Sequence, residues 1–141
     1  PNYDTYILSE ATKYGLRPES IIIEISEETF VQDMQVIVER IKRFRSCGFK
    51  IAIDDFGSKY SSLGILDIVP FDILKLDGIF ADRINSRTII VIVKTITDLT
   101  RSYQKEIVIE KIETADDAAK FIEFGCTIHQ GFYYHKPEKL D

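Results

Sequence analysis

Cysteine is scarce in this chain. Cys47 and Cys126 are the only two among 141 residues, they lie far apart, and they form no Cys-x-x-Cys arrangement. This spacing excludes a disulfide framework and fits a protein that folds in a reducing compartment. We interpret both thiols as small buried hydrophobic side chains.

Long hydrophobic segments and excess positive charge are also absent. The longest uninterrupted apolar stretch is residues 89–93, whereas a helix needs about 20 apolar residues to cross a bilayer. No charged segment followed by an apolar one opens the chain. The formal net charge is −5, so a nucleic-acid polymer, which is usually bound by a basic surface, is not an expected partner. We expect no membrane contact from this chain.

The composition is that of one globular domain. A length of 141 residues with 45% hydrophobic residues is sufficient for a real core. Five short apolar runs, rich in β-branched residues, each end in polar side chains. These runs are residues 21–24, 51–55, 73–75, 107–110 and 127–130. Nearly continuous apolar runs of this length are typical of buried parallel strands.

Helical patterns lie between these runs. Ser26 is predicted to cap a helix whose apolar face covers residues 30–44 and which stops at Gly48. Further helices are predicted at 3–14, from about 86 to 99, and from a Thr114–Asp117 capping box to a stop at Gly125. Alternation of strand and helix predicts an α/β fold with parallel βαβ units.

Five strands are too few for a closed eight-stranded barrel, which takes about 250 residues. The chain is therefore an open sheet or part of a barrel. In α/β folds the chemistry gathers at the carboxyl ends of the strands. Side chains that end these runs include Glu24, Asp54, Asp55, Lys75 and Glu110. We expect them to converge on one acidic site, which suits hard divalent cations.

The densest motif is Asp-Asp-Phe-Gly-Ser-Lys-Tyr-Ser-Ser-Leu at 54–63. Two carboxylates at a strand end can serve two metal ions about 4 Å apart, which clamp the attacking and leaving oxygens of a phosphodiester. Asp-Gly-type stretches also dominate ordinary turns, so the same residues read alone are compatible with a turn and helix cap.

Five motifs in order resemble the EAL domains, bacterial phosphodiesterases that linearise cyclic di-GMP. The resemblance covers residues 15–137. Its motifs are Glu-Ile-Ser-Glu at 24–27, the segment at 54–63, Pro-Phe-Asp-Ile-Leu-Lys-Leu-Asp at 70–77, Glu-Lys-Ile-Glu-Thr at 110–114 and Gln-Gly-Phe at 130–132. The resemblance implies a parallel (β/α) barrel of the TIM type, with about five of its strands in this chain. It also implies that residues 1–141 are the C-terminal part of the domain, with the Glu-Ala-Leu motif and an Asn ligand upstream.

The resemblance implies two divalent ions, Mg²⁺ or Mn²⁺. Glu24 and Asp54 would bind one ion, with Asp54 bridging to the second. Asp55 and Glu110 would bind the second ion, and Gln130 would lie at its edge. Oxygen-only ligands of this kind favour Mg²⁺ or Mn²⁺ over softer metals.

The resemblance also assigns catalytic and supporting roles. Lys75 would hold the attacking water or a phosphate oxygen, and Glu110 would alternatively act as general base. Glu113 would be a carboxylate on the substrate side of the site. Glu27 would brace the loop after Asp55. Asp77, together with Gln130, would contact the substrate.

Two substitutions depart from the family pattern. Lys59 and Lys111 stand where the family has Gly. A lysine at position 59 is expected to disturb the loop that presents the two aspartates, since Gly admits positive φ. The Lys111 ammonium is expected to pair with a neighbouring carboxylate and to compete with a metal ion.

Several other polar and aromatic residues carry no metal-site pattern. His129 and His135 match no ligand spacing, and we interpret them as non-ligands. Tyr133 and Tyr134 are interpreted as packing residues rather than as side chains that stack on a ligand.

Three functions are compatible with these motifs. The first is hydrolysis of cyclic di-GMP to linear pGpG in bacterial second-messenger signalling. The second is a degenerate EAL domain that binds cyclic di-GMP or a partner protein without turnover. The third is an unrelated two-metal barrel enzyme. The resemblance further implies a cytoplasmic location, as the cytosolic part of a larger signalling protein, and a possible homodimer.

Overall fold

The protein is described by a computed structural model that covers residues 3–31, 33–58 and 63–139. Its centre is one sheet of five parallel strands in the order β1-β2-β3-β4-β5. The strands are β1 (Ile22–Ser26), β2 (Lys50–Phe56), β3 (Ile73–Leu76), β4 (Glu106–Ile109) and β5 (Ile128–His129). Sequential parallel pairing confirms the predicted α/β class.

Helices precede, connect and flank the strands. They are α1 (Tyr3–Lys13), α2 (Met34–Ser46), α3 (Gly64–Ile68), α4 (Ile79–Asp82), α5 (Arg87–Ser102) and α6 (Ala115–Glu123). Two short 3-10 helices, Pro18–Ser20 and Glu27–Val31, lie on either side of β1. Among the described residues no helix is both long enough and apolar enough to span a bilayer.

Burial explains why the strand sequences are so apolar. All four residues of β3 are buried, and Ile51, Ala52 and Ile53 of β2 have no solvent exposure. Helices cover the sheet with Ile41 of α2 and Phe121 of α6, which are also fully buried. Because all five strands run in the same direction, their carboxyl ends form a single edge.

The helix predicted from Ser26 to Gly48 is wrong in its first half. Ser26 is the last residue of β1, pairs in register with Asp54, and its hydroxyl lies 3.0 Å from that of Thr29 in the following 3-10 helix. The α-helix begins only at Met34, where Asp33 caps it by accepting a hydrogen bond from Val36 N at 3.2 Å. Because Ser26 pairs with β2 in the sheet, it does not cap the helix.

The other helix limits follow their sequence signals. Thr114 Oγ1 accepts a hydrogen bond from Asp117 N at 3.1 Å, so the predicted capping box starts α6. Gly125, with φ at 88°, follows the end of that helix. Both cysteines are free. Cys126 is buried, as predicted, with its sulfur 2.9 Å from Thr97 Oγ1, whereas Cys47 is only half-buried.

Asp72 anchors β3 at the end of the sheet opposite to the acidic side chains. Its carboxylate accepts a hydrogen bond from Ile51 N at 3.0 Å and pairs with Arg45 at 3.0 Å. Its backbone N donates to Ile51 O, and its carbonyl accepts from Glu106 N. Asp72, three residues before Lys75, thus connects the start of β3 to both neighbouring strands.

Replacing Asp72 tests this anchor. Asp72→Ala should lower the free energy of unfolding by about 2 kcal/mol, because a backbone N–H and a guanidinium lose a charged partner. Asp72→Asn keeps an acceptor for Ile51 N and should cost about half as much. Urea denaturation measures both values. Equal losses in the two variants would show that the hydrogen bond to Ile51 contributes nothing.

Candidate functional site

The carboxyl ends of the strands bring one lysine and three carboxylates together. Lys75 Nζ lies 2.7 Å from Asp54 Oδ1, 2.9 Å from Glu110 Oε1 and 3.0 Å from Glu24 Oε1. The lysine stands on the central strand β3, and its partners come from β2, from the residue after β4, and from β1. Four separate segments therefore converge as the strand-end pattern predicts.

Charge compensation holds this cluster together. The Lys75 side chain is 8% exposed, so burial works against its charged form. Its three ion pairs, led by the one with Asp54, outweigh burial and raise the pKa of Lys75 above its usual range. The Lys75 side chain is therefore protonated at physiological pH and is held in place by three carboxylates.

An irregularity in β2 accompanies the close approach of the two adjacent aspartate carboxylates. The register between β2 and β3 shifts between Ile53 and Phe56, and Asp55 has a positive φ of 56°. Such an irregularity changes the direction of side chains at the strand end. Asp54, Asp55 and Glu110 each place one carboxylate oxygen within 4.8 Å of the other two.

Crowding of carboxylates shifts their titration. Partial desolvation raises the pKa of Asp55, and the charges of Asp54 and Asp77 raise it further. Burial raises the pKa of Glu110, while its ion pair with Lys75 opposes that increase. Both shifts mean that negative charge is held here at a cost, which a bound cation would relieve.

The donor set fits hard divalent cations. Three carboxylates within 4.8 Å supply oxygen ligands alone, which is the preference of Mg²⁺, Mn²⁺ and Ca²⁺. Glu24 lies at the side of this group, linked to it through Lys75, and its side chain is 49% exposed. Asp55 and Glu110, the predicted ligands of the second metal ion, are in this group together with Asp54, which is predicted to bridge the two ions.

Glu27 contacts the loop that follows the aspartates. It is buried at 3% exposure, and its Oε2 accepts a hydrogen bond from Gly57 N at 3.1 Å. Gly57 has a φ of 97°, and a Cβ there would lie 2.3 Å from Phe80 Cε2. The loop start is thus held between a carboxylate and an aromatic ring. Lys59, the first departure from the family pattern, lies outside the described residues.

A groove of about 610 Å³ adjoins the carboxylate cluster. It contains four carboxylates, one ammonium, one amide, an aromatic ring and two small or apolar residues, contributed by Asp77, Gly78, Ile79, Asp82, Glu110, Lys111, Glu113, Gln130 and Phe132. Three predicted site residues besides Glu110, namely Asp77, Glu113 and Gln130, line this groove. Asp77 also accepts a hydrogen bond from Ile79 N at 2.8 Å, at the start of α4.

Backbone bonds hold Gln130 beside the loop that carries Glu110. Gln130 N donates to Ile109 O at 2.8 Å, and Ile112 N donates to Gln130 O at 3.0 Å. A Cβ at Gly131 would lie 2.2 Å from Ile112 O and 2.3 Å from Ile112 N. Only glycine allows this main-chain contact, which explains the Gln-Gly sequence.

Lys111 pairs with a neighbouring carboxylate, as the sequence predicts. Its Nζ lies 2.7 Å from Asp82 Oδ2 of α4, and competition of this ammonium with a metal ion stays a prediction. Its φ of 60° suits the glycine that the family has at this position. Its side chain packs over Gly78.

The sequence did not predict the positions of Asp82 and Phe132 in the groove. It also did not predict the contact between His129 and Tyr134. Asp82 and Phe132 both line the groove, and neither follows one of the five predicted strands directly. His129 Nδ1 lies 2.7 Å from the Tyr134 hydroxyl. A histidine five residues before a tyrosine has no recognised spacing, so no sequence signal was available.

Comparison with known proteins identifies relatives for nearly the whole chain. The EAL domain family model matches residues 5–137. Cyclic di-GMP phosphodiesterase PdeA of Borreliella burgdorferi is 32% identical over 99% of this chain, which spans 21% of that relative. The chain thus covers about a fifth of its curated relative.

Solved structures share the fold. The manganese and cyclic di-GMP complex of Klebsiella pneumoniae BlrP1 aligns with a TM-score of 0.93 and 28% identity, over 97% of this chain and 35% of that one. The cyclic di-GMP complex of the phosphodiesterase PaMucR aligns with a TM-score of 0.82 and 31% identity, over 90% of this chain and 52% of that one. These matches confirm the predicted TIM-barrel-type architecture.

Asp55→Asn should stabilise the metal-free protein at neutral pH. The raised pKa means that Asp55 contributes stability below its ordinary value of 3.8, and that this contribution is lost as pH rises through the raised value. Asparagine removes the charge and tolerates positive φ. Thermal melting at pH 7 in chelator should therefore give a higher Tm for Asp55→Asn, and the difference should shrink toward pH 4.

Asp98→Asn is the matched control, since Asp98 lies on α5 with its side chain 76% exposed. Its Tm should match the wild type at both pH values. An Asp55→Asn difference that persists unchanged at acidic pH would contradict the electrostatic explanation.

The effects of substitutions at Gly78 and Lys111 on Tm should depend on each other. A Cβ at Gly78 would lie 2.8 Å from Lys111 Cβ and 2.7 Å from Lys111 Cδ, although the backbone there is helical and accepts alanine. Gly78→Ala should therefore lower Tm when Lys111 is present and leave it unchanged or raise it in a Lys111→Gly background. An equal effect in both backgrounds would show that the side chains do not meet.

Proposed function

This chain belongs to the EAL domain family, and we propose that its strand-end cluster forms part of a two-metal site that hydrolyses cyclic di-GMP to linear pGpG. The observation that carries the proposal is the convergence of Glu24, Asp54 and Glu110 on Lys75 at 2.7–3.0 Å. Relatives named as cyclic di-GMP phosphodiesterases cover almost all of this chain at about one third identity.

Two Mg²⁺ or Mn²⁺ ions are the cofactors in this proposal. Glu24 and Asp54 would hold one ion, Asp54, Asp55 and Glu110 the other, with Gln130 at its edge. The bound ions would polarise the phosphodiester and lower the pKa of the attacking water. The BlrP1 complexes with cyclic di-GMP contain manganese in one case and calcium in another.

The chain's own groups supply proton transfer and charge. Glu110 would accept the proton of the attacking water, a role that its raised pKa suits. Lys75 would stabilise negative charge on the phosphate oxygens, because its ammonium is fixed and buried beside them. Water adds to phosphorus, the bond to the 3′-oxygen breaks, and that oxygen takes a proton from solvent.

The groove beside the cluster is the proposed substrate surface. Asp77 and Gln130 would contact the dinucleotide, and Glu113 would accept hydrogen bonds on the substrate side of the metals. The groove adjoins Glu110, one of the proposed ligands. A ligand in this groove would therefore lie next to the proposed metal site.

Further strands would complete this site. The chain spans 52% of the PaMucR chain and 35% of the BlrP1 chain. We propose that the five strands form the C-terminal part of the EAL barrel, and that additional ligands come from an upstream part with the Glu-Ala-Leu motif and an Asn. A cytosolic role within a larger signalling protein belongs to the same proposal.

A second candidate function is binding without turnover. Lys111 replaces the family's Gly and occupies the groove wall through its pair with Asp82. A domain of this kind would act as a cyclic di-GMP receptor or a protein-interaction module. Product analysis separates the two functions, since only an enzyme forms linear pGpG.

An apolar surface on α5 is the face that we propose for a homodimer. Leu63, Val91 and Ile92 are exposed beside an apolar groove that also contains Phe80 and Leu99. Exposed apolar patches of this kind mark contact surfaces. Sedimentation velocity with Val91→Glu tests whether a second copy docks there, and an unchanged dimer would exclude this face.

Incubation of the full-length protein with cyclic di-GMP should yield linear pGpG with Mg²⁺ or Mn²⁺, as measured by chromatography. Ca²⁺ should bind without supporting hydrolysis, because its looser coordination orients water less well. Glu24→Ala and Asp54→Ala should each reduce kcat by more than about 100-fold. Asp98→Ala, at an exposed position of α5, is the control and should retain full activity.

Binding of cyclic di-GMP without any linear product would favour the receptor function. Turnover that survives in Glu24→Ala or Asp54→Ala, with folding intact by circular dichroism, would remove these residues from the metal site. Equal rates in Ca²⁺ and Mg²⁺ would contradict the coordination argument.

A further inference from the structure

We propose that His129 and Tyr134 form a positioning pair that holds Gln130 and Phe132 on the wall of the groove. The proposal rests on the proposed function for the meaning of that groove. Neither residue of the pair lines the groove, whereas two of the four residues between them, Gln130 and Phe132, do.

Both ring nitrogens of His129 are engaged. Nε2 lies 2.9 Å from Cys126 O, and Nδ1 lies 2.7 Å from the Tyr134 hydroxyl. A carbonyl oxygen only accepts, so Nε2 carries a hydrogen. In the neutral ring Nδ1 then accepts a hydrogen bond from the tyrosine O–H. The backbone after α6 thereby fixes the imidazole, and the imidazole fixes the phenol.

Ring contacts set the orientation of the pair. The imidazole meets the fully buried Phe121 edge to face, with centroids 6.3 Å apart. The Tyr134 ring meets Tyr133 edge to face at 5.0 Å. The pair therefore connects the buried core to an exposed turn, since Tyr134 is 53% exposed.

The enclosed turn is bound to the loop that carries Glu110. Tyr133 N donates to Ile112 O at 3.0 Å, and Ile112 N donates to Gln130 O at 3.0 Å. Within the turn, Tyr134 N and His135 N donate to Gly131 O at 3.1 and 3.3 Å. The side-chain bond between His129 and Tyr134 adds a further tie between the two ends of the turn. Without it, Gln130 and Phe132 would sample more orientations, which weakens binding.

Tyr134→Phe removes one hydroxyl and keeps the ring. With the full-length protein, cyclic di-GMP and Mn²⁺, it should raise KM about three- to tenfold while kcat changes less than about twofold. Tyr133→Phe is the matched control, because the Tyr133 hydroxyl has no hydrogen bond among the described residues, and it should leave KM unchanged. In a Gln130→Ala background, Tyr134→Phe should change KM less than about twofold further.

Two kinetic results would overturn the proposal. One is an equal KM factor for Tyr134→Phe in the presence and absence of Gln130, which would mean that the residues act independently. The other is a lower Tm for Tyr134→Phe with unchanged KM, which would mean that the pair only stabilises the fold.

A nuclear magnetic resonance measurement tests the pair without turnover. The side-chain amide signals of Gln130, assigned by their loss in Gln130→Ala, should shift in Tyr134→Phe and stay in place in Tyr133→Phe. Absence of linear pGpG from the wild type would contradict the proposed function alone if this shift occurs. Unmoved Gln130 signals in Tyr134→Phe would contradict the positioning pair whether or not the protein hydrolyses cyclic di-GMP.

Discussion

One buried ammonium organises this molecule. Lys75 is on the central strand, where its side chain is almost completely removed from water. A lysine there is stable only if anions surround it, and the three carboxylates around it repel one another unless a cation lies between them. The buried ammonium and the three carboxylates therefore stabilise one another. Because the carboxylates come from β1, β2 and the end of β4, the same electrostatic requirement also fixes how the strand ends meet.

Much of this arrangement is readable in the sequence, because it depends on burial along single strands. Apolar runs such as 51–53 and 73–76 identify buried strands, and parallel order places their last residues at one edge. Glu24, Asp54, Lys75 and Glu110 could be predicted as neighbours for that reason. The capping of α6 by Thr114 was equally predictable, since both of its partners lie within four residues.

Other features depend on pairing between distant segments. Ser26 is a residue type that favours helix N-caps, yet it is the last residue of β1 and pairs with Asp54 of β2. The shift of register between Ile53 and Phe56, which contains the two aspartates, involves pairing with β3 and leaves no local signal in the sequence. Lys111 was expected to pair with a neighbouring carboxylate, and the partner proves to be Asp82, which lies 29 residues earlier in the chain. These features depend on contacts between segments that are distant in the sequence, so local patterns do not predict them.

The contact between Gly131 and Ile112 has a consequence for divergence within the family. Two loops meet there main chain to main chain, with no side chain between them. Main-chain atoms are common to all amino acids, so their spacing does not depend on which side chains stand nearby. The frame that carries Glu110 therefore keeps its dimensions whichever side chain stands at position 132.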